Sequence, residues 1–260
     1  MARLKKKRFS INGNGLRVWG LFLMIIGIVG RSALQRQILG VGTLSTGELL
    51  DAMNASNDVM TIATMALVCQ IIETCAVPIY AFLAVEGFEH TSNYPMYLLR
   101  VAGVALLSEI PFNIAMSASL LDLNTRNPVF GLVIGLAVLF FYRHYSGKNL
   151  KSVLVKILVS LAALVWAQML RVEFGACIVL VMCVLWIFRR NPIYQNLAGG
   201  LASVACSLIS PLFLAAPMGM VVVHFYNGDK GADNRMVNYL SYPVVLLGLG
   251  LFSMMVFKAA

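Results

Sequence analysis

The chain has 260 residues, 60% of them hydrophobic and only 12% charged, with a mean hydropathy of +0.82. A soluble domain is about one quarter charged, so these figures exclude an ordinary soluble enzyme and indicate a polytopic membrane protein. The net charge of +9 does not indicate a nucleic-acid partner: Arg3, Lys5, Lys6, Lys7 and Arg8 form one block, and the other basic residues mostly stand at the ends of apolar segments, where they set orientation and meet anionic lipid.

Residues 1–15 read as a basic cytoplasmic segment and 16–260 as a single transmembrane domain, with no soluble domain. The start MARLKKKRFSINGNGLR leads into an apolar run ending at Arg31 without a small-x-small cleavage pattern, so it is not read as a signal peptide. The first span runs from Leu16 to about Gly30. A helical extension to Leu39 puts Arg31 and Arg36 near the far interface, where long side chains snorkel. Residues 40–57 form a polar loop, in which Thr46 ahead of Glu48, Leu49, Leu50 and Met53 can start a short interfacial helix.

Further apolar spans are expected at 59–85, 97–118, 128–145, 150–170, 174–188, 194–210, 211–226 and 237–257. Each is about long enough to cross a hydrocarbon layer of roughly 30 Å, the shortest marginally. The pair flanking Pro211 is either one broken helix or two spans. The expected fold is therefore an all-α transmembrane helix bundle of about eight or nine spans. With the N-terminus in the cytoplasm, nine spans place fifteen of the twenty Lys and Arg residues inside, a strong positive-inside bias. The five cysteines lie in apolar segments with no CxxC and no metal-type spacing, so they read as small hydrophobes.

Polar residues concentrate between Pro78 and Asn113, in PIYAFLAVEGFEHTSNYPMYLLRVAGVALLSEIPFN. Ionisable groups at membrane depth are costly unless they face protein, water or one another, and by default they mark a functional cluster. Glu86 and His90 are four apart on one helical face, where a carboxylate can hold a histidine in one tautomer as a general base. The plain alternative is an interfacial turn capped by Thr91, Ser92 and Asn93. Glu109 either pairs with Arg126 or Arg31 or lines a wet cavity. Glu73 shows no charged partner in the sequence, although Gln70 and Thr74 are near enough to hydrogen-bond it. His224 ends a span at the same face as His90, and His144 reads as interfacial. The turn YNGDKG, with Asn227 and Lys230, can bind a phosphate through backbone N–H groups and the lysine, or is simply a good turn. Hydrolase, zinc-protease, P-loop and dinucleotide motifs are absent from the sequence.

PIYAFLAVEGFEHTSNYPMYLLR, SEIPFN, NPVFGL and YNGDKG…YLSYP resemble the TraX family, membrane proteins associated with N-terminal acetylation of conjugative pilin. The likeness is densest over 68–136, returns at 224–250, and between 150 and 222 extends only to hydropathy. It implies a compact helical acyltransferase of the bacterial cytoplasmic membrane, passing acetyl from cytoplasmic acetyl-CoA to a membrane-held amine. By motif match Pro78, Phe82, Glu86, Gly87, Thr91, Arg100, Ser108, Pro111, Asn113 and Asn127 carry over. Three positions depart. Gly27 and Ile28 stand where the family has an Asp-His pair, Glu73-Thr74 where it has Gly-Arg, and Val245 where it has a histidine after the late Tyr-Pro.

Two readings follow. In the first, acetyl transfer has lapsed and the protein serves as a partner or subunit for a membrane protein or peptide, with the vacated region filled by Met24, Ile28 and Val245. In the second it is an active acyltransferase using acetyl-CoA, with Glu86, His90, Glu109 and His224 as catalytic groups and Arg100, Asn227 and Lys230 on the donor. Neither calls for a metal or a nucleic acid. A transporter is less favoured, since no paired broken helices appear in matching halves.

Overall fold

The computed structural model describes residues 10–40, 46–147, 149–231 and 235–258. The basic block between Arg3 and Arg8, and Lys148, lie outside them. Helices succeed one another as α1 (Gly13–Val29), continued by a π-helix over Gly30–Ile38, α2 (Thr46–Ala55), α3 (Asn57–Thr74), α4 (Ala76–His90), α5 (Tyr94–Ser117) and α6 (Val129–His144). Then come α7 (Leu150–Met169), α8 (Gly175–Ile187), α9 (Pro192–Ala205), 3-10 turns at Cys206–Leu208 and Pro211–Ala215, α10 (Pro217–His224) and α11 (Arg235–Lys258). Among the described residues there is no β-strand, only isolated bridges from Ile11 to Tyr226 and from Arg126 to Val172.

Among the described residues five helical stretches are long and apolar enough to cross a membrane: Gly13–Ile38, Asn57–His90, Tyr94–Ser117, Leu150–Met169 and Met236–Val256. The protein is a membrane helix bundle. Asparagine starts the helices that share one end of it. Asn12, Asn93, Asn149 and Asn191 each accept a hydrogen bond from the first-turn backbone of α1, α5, α7 and α9. Such a cap is worth about 1 kcal/mol, because it satisfies an N–H that the helix cannot. The helix expected from Thr46 is α2.

The 59–85 segment is in fact two helices that meet at Cys75. Pro78 has no N–H for the Thr74 carbonyl, so the ladder fails there. The opening is closed from outside: Thr74 Oγ1 donates to Ile71 O at 2.7 Å and lies 3.2 Å from Leu212 O, while Cys75 Sγ lies 3.2 Å from Ala215 O. This explains the region around Pro211. The chain on either side of it does not form one broken helix. α9 and α10 are two short arms that pack on each other and turn against the α3–α4 break.

The centre of the bundle is α8, in which Ala176, Cys177, Ile178, Val179, Val181, Met182, Cys183, Leu185 and Trp186 are all buried. A helix apolar on every side is surrounded by protein or by lipid, and α8 is surrounded by protein. α6 approaches it closely because Gly131 and Gly135 present no side chain, so that Ile178 and Met182 fill the space instead. In α7 the exposed face is Leu154, Ile157, Leu158, Leu161 and Val165, which suits lipid.

Candidate functional site

A cavity of about 630 Å³ runs along the bundle between α1, α4, α5 and α11. Its walls come from helical periodicity. Asn14, Arg17, Leu21 and Met24 share one face of α1; Val77, Tyr80, Ala84 and Gly87 share one face of α4. From Gly87 to Ala76 along α4 the cavity is roughly 16 Å deep at 1.5 Å per residue. Gly87 is required here, since a Cβ on it would stand 2.6 Å from the Tyr97 hydroxyl.

The mouth is polar and basic, with Arg17, His90, Asn93, Arg100 and Lys230 on its rim. Arg17 Nη1 is buried and has no hydrogen-bond partner. An unsatisfied buried donor beside two further cations is suited to an anionic group. His90 is held by its own helix: Nδ1 is 2.9 Å from Glu86 O. A carbonyl only accepts, so in the neutral ring Nδ1 carries the proton and Nε2 is the accepting nitrogen. The Glu86 carboxylate is 3.8 Å from the same nitrogen and accepts a 3.2 Å hydrogen bond from Tyr226. Tyr226 lies beyond α10, and burial, with Glu86 beside it, pushes its hydroxyl up to about 12. Asn93 caps α5 through Met96 N, as the interfacial-turn reading expected.

The YNGDKG turn is fastened to the chain's start. Ile11 N donates to Phe225 O, Asn227 N to Ile11 O and Gly13 N to Asp229 O. Asp229 N and Gly231 N are taken by the side chains of Asn227 and Asp229. Gly228 and Gly231 adopt φ of 80° and 72°, the left-handed backbone that glycine permits at least cost. These amides are spent inside the turn, and Lys230 is the residue of it that reaches the cavity rim.

At the inner end of the cavity stands Glu73, 4% exposed. Its charged partner is Arg31, whose Nη2 donates to Oε1 at 2.5 Å. The same guanidinium pairs through Nη1 with Glu173, in the turn before α8. Arg31 therefore does not snorkel. It is drawn into a largely enclosed trio, with the ring of Phe174 6.0 Å away. Phe174 has φ 56° and opens α8, which turns it and Glu173 to the trio. A second, smaller cavity of about 190 Å³ lies on the other side, lined by Arg31, Arg36, Asn113, Asp122 and Glu173. The trio is the wall the two cavities share.

Glu109 takes the paired alternative. Arg126 Nη1 donates to it at 2.9 Å, and Asn127 Nδ2 at 2.6 Å. Asn127 is wholly buried and also donates to Ala105 O and accepts from Val129 N. The structure thus brings Glu86, His90, Arg100 and Lys230 to one end, while Glu109 belongs to a structural knot at the other. His224 is exposed beside Phe225 and does not line the cavity. Met24, Ile28 and Val245 do meet, in a small apolar cluster with Phe112 and Leu246 next to the inner end, but Met24 forms cavity wall and the space beside it stays open.

Arg17, Glu173, and the pairing of Arg31 with Glu73 in place of Glu109 escaped the reading of the sequence. For Arg17 a signal existed, the i, i+3, i+4, i+7 recurrence of Asn14, Arg17, Val18 and Leu21 on one face. For Glu173, an acid between two apolar spans looks like any loop residue.

With this geometry in view, the comparison with known proteins is informative. Residues 21–253 match the family described as TraX protein. The chain belongs to the TraX family. It is also 30% identical over 190 residues, 64% of this chain and 75% of the relative, to the "Probable fimbrial assembly protein FimC, serogroup H1" of Dichelobacter nodosus. No solved structure matches. The TraX match includes the whole of α4, α5 and α8 and therefore both ends of the cavity, apart from Asn14, Arg17 and Val18 at its rim.

Proposed function

We propose that this protein is a pilus-associated acyltransferase of the bacterial cytoplasmic membrane, binding an anionic acyl donor such as acetyl-CoA at the basic mouth and passing the acyl group to an acceptor amine inside the cavity. The observation that carries this reading is the cavity itself. Its volume lies within the roughly 300–1,000 Å³ of small-molecule sites. It is open at a rim of cations, one of which has an unsatisfied buried donor. The name of the FimC relative supports the link to fimbrial assembly.

In the transfer, the acceptor nitrogen forms a bond to the acyl carbon, the carbon–sulfur bond of the thioester breaks, and the nitrogen loses a proton to a base. Arg17, Arg100 and Lys230 hold the phosphates, with the mouth facing the cytoplasm. His90 Nε2 is the proton acceptor available at the rim.

A second reading has its own support. The apolar cluster of Met24, Ile28 and Val245 beside the inner end favours a relative that keeps the ligand but not turnover, and acts as a subunit. Purified protein in lipid nanodiscs, incubated with labelled acetyl-CoA and peptides bearing a free N-terminus, separates the two. Label transfer supports the enzyme. Stabilisation by CoA with no transfer supports the subunit, and neither effect removes both.

A further inference from the structure

The trio at the inner end is short of positive charge. With both carboxylates ionised, Glu73 and Glu173 face a single guanidinium, Arg31. Extending the count to the second cavity adds Arg36 and Asp122 and leaves one negative charge in excess. Two acceptor oxygens, Glu73 Oε2 and Glu173 Oε2, are buried without a hydrogen-bond partner. A buried carboxylate oxygen left unpaired costs several kcal/mol. Glu73 is 4% exposed and lines the inner end of the cavity, with Oε2 enclosed beside Gly27. Around it are Phe174, Tyr80 and Tyr242, aromatic surfaces that favour a cation over an anion.

The location is a built one. A Cβ on Gly27 would overlap the Glu73 carboxyl, so glycine at that position of α1 is what allows the acid to occupy the cavity's end. Arg31, one turn further on, grips Oε1 and leaves Oε2 as the free acceptor.

We propose that Glu73, oriented by Arg31 and made possible by Gly27, is the receptor for a protonated primary amine at the inner end of the cavity. A primary ammonium supplies the missing charge and N–H donors for Oε2. The site then has opposite polarity at its two ends, unsatisfied donor at Arg17 and unsatisfied acceptor at Glu73, matching an anionic donor and a cationic acceptor. This rests on the cavity being a ligand site, as proposed above. In the transfer step Glu73 takes one proton from the ammonium, an N–H bond breaking as an O–H bond forms. The neutral nitrogen then bonds to the acyl carbon as the carbon–sulfur bond breaks, and its second N–H proton passes to the departing thiolate, which leaves as the thiol.

The test uses the full chain in nanodiscs with hexylamine as probe, and hexanol, hexyltrimethylammonium and calcium chloride as controls. Wild type is expected to bind hexylamine at least tenfold more tightly than hexanol or the quaternary ion, and Glu73→Gln to lose that preference while CoA still stabilises it. Should Glu73→Gln not fold, the double variant Gly27→Asp/Glu73→Gly, which returns a carboxylate from α1 to the same volume, is expected to bind hexylamine, and Gly27→Ala/Glu73→Gly not to. Equal hexylamine affinity in wild type and the carboxylate-free variant overturns the proposal. So does equal affinity for hexanol, or stabilisation by calcium chloride that matches the amine. If hexylamine binding depends on Glu73 while CoA leaves wild type unaffected, the amine site stands and the acyl-CoA reading falls.

Discussion

Gly27 and Glu73 compete for one volume. The glycine of α1 lies where any side chain would run into the carboxyl of α3, and the acid is buried because the glycine yields. Gly27→Ala is therefore expected to lower stability by about 2 kcal/mol, the usual cost of overpacking. Gly103 of α5 is the control: nothing lies within 4 Å of a Cβ there, and Gly103→Ala is expected to stabilise by about 0.5–1 kcal/mol through the lost freedom of the unfolded chain. Thermal unfolding in detergent reads both. A Gly27→Ala protein as stable as wild type would show that Glu73 can leave its place freely.

Asn127 is a stronger structural anchor than Arg126, although only the latter carries charge. All its side-chain polar atoms are used in a fully buried setting, whereas the Arg126 side chain is 35% exposed. Asn127→Leu is expected to cost about 3 kcal/mol, since several buried groups lose partners together. Arg126→Met is expected to cost about 1 kcal/mol, because water screens the pair. Equal losses in a denaturation series would contradict this ranking.

The two ends of the cavity are separable. Arg17→Gln removes the buried donor at the mouth and is expected to weaken CoA binding by about tenfold, the value of one charge-assisted hydrogen bond. Hexylamine affinity should not move. A thermal-shift titration with each ligand checks the pair, and a parallel loss of both would mean that the variant disturbs the fold rather than one end.

Tyr226 gives an alkaline signature. Its hydroxyl is pushed up to about 12, chiefly by burial and then by Glu86, against about 10 for an ordinary tyrosine. Between these values the folded protein keeps a proton that the unfolded chain has lost, so this contribution is intact below about pH 10 and fades as pH rises towards 12. Tyr226→Phe is expected to be less stable at neutral pH by about 1 kcal/mol, through loss of the bond to Glu86, and to decline less steeply above pH 10. The comparison of unfolding temperatures across that range decides it, and identical slopes would remove the assignment.

Local features were legible because they depend on neighbours in the chain. Asn93, read as a capping residue before the next helix, announces a helix start whatever the bundle does. The apolar run of α8 announced a span, while packing alone decided that its sides meet protein and not lipid. The polar stretch from Pro78 to Asn113 was harder, since nearness in sequence suggested one site. α5 spans 24 residues, about 36 Å, and carries Glu109 and Asn113 away to the end opposite His90 and Arg100.

Composition and hydropathy by themselves determined a helical membrane protein, and quoted motifs determined its family, because burial in lipid permits few backbone solutions and motifs are local strings. Which acid meets which base was decided only by packing. The resemblance marks Gly27 as a position that has lost a carboxylate. It does not reveal that Glu73, forty-six positions later, fills the same space from the adjoining helix. That is a relation between two helix faces and a contact distance, neither of which is written along one strand of sequence.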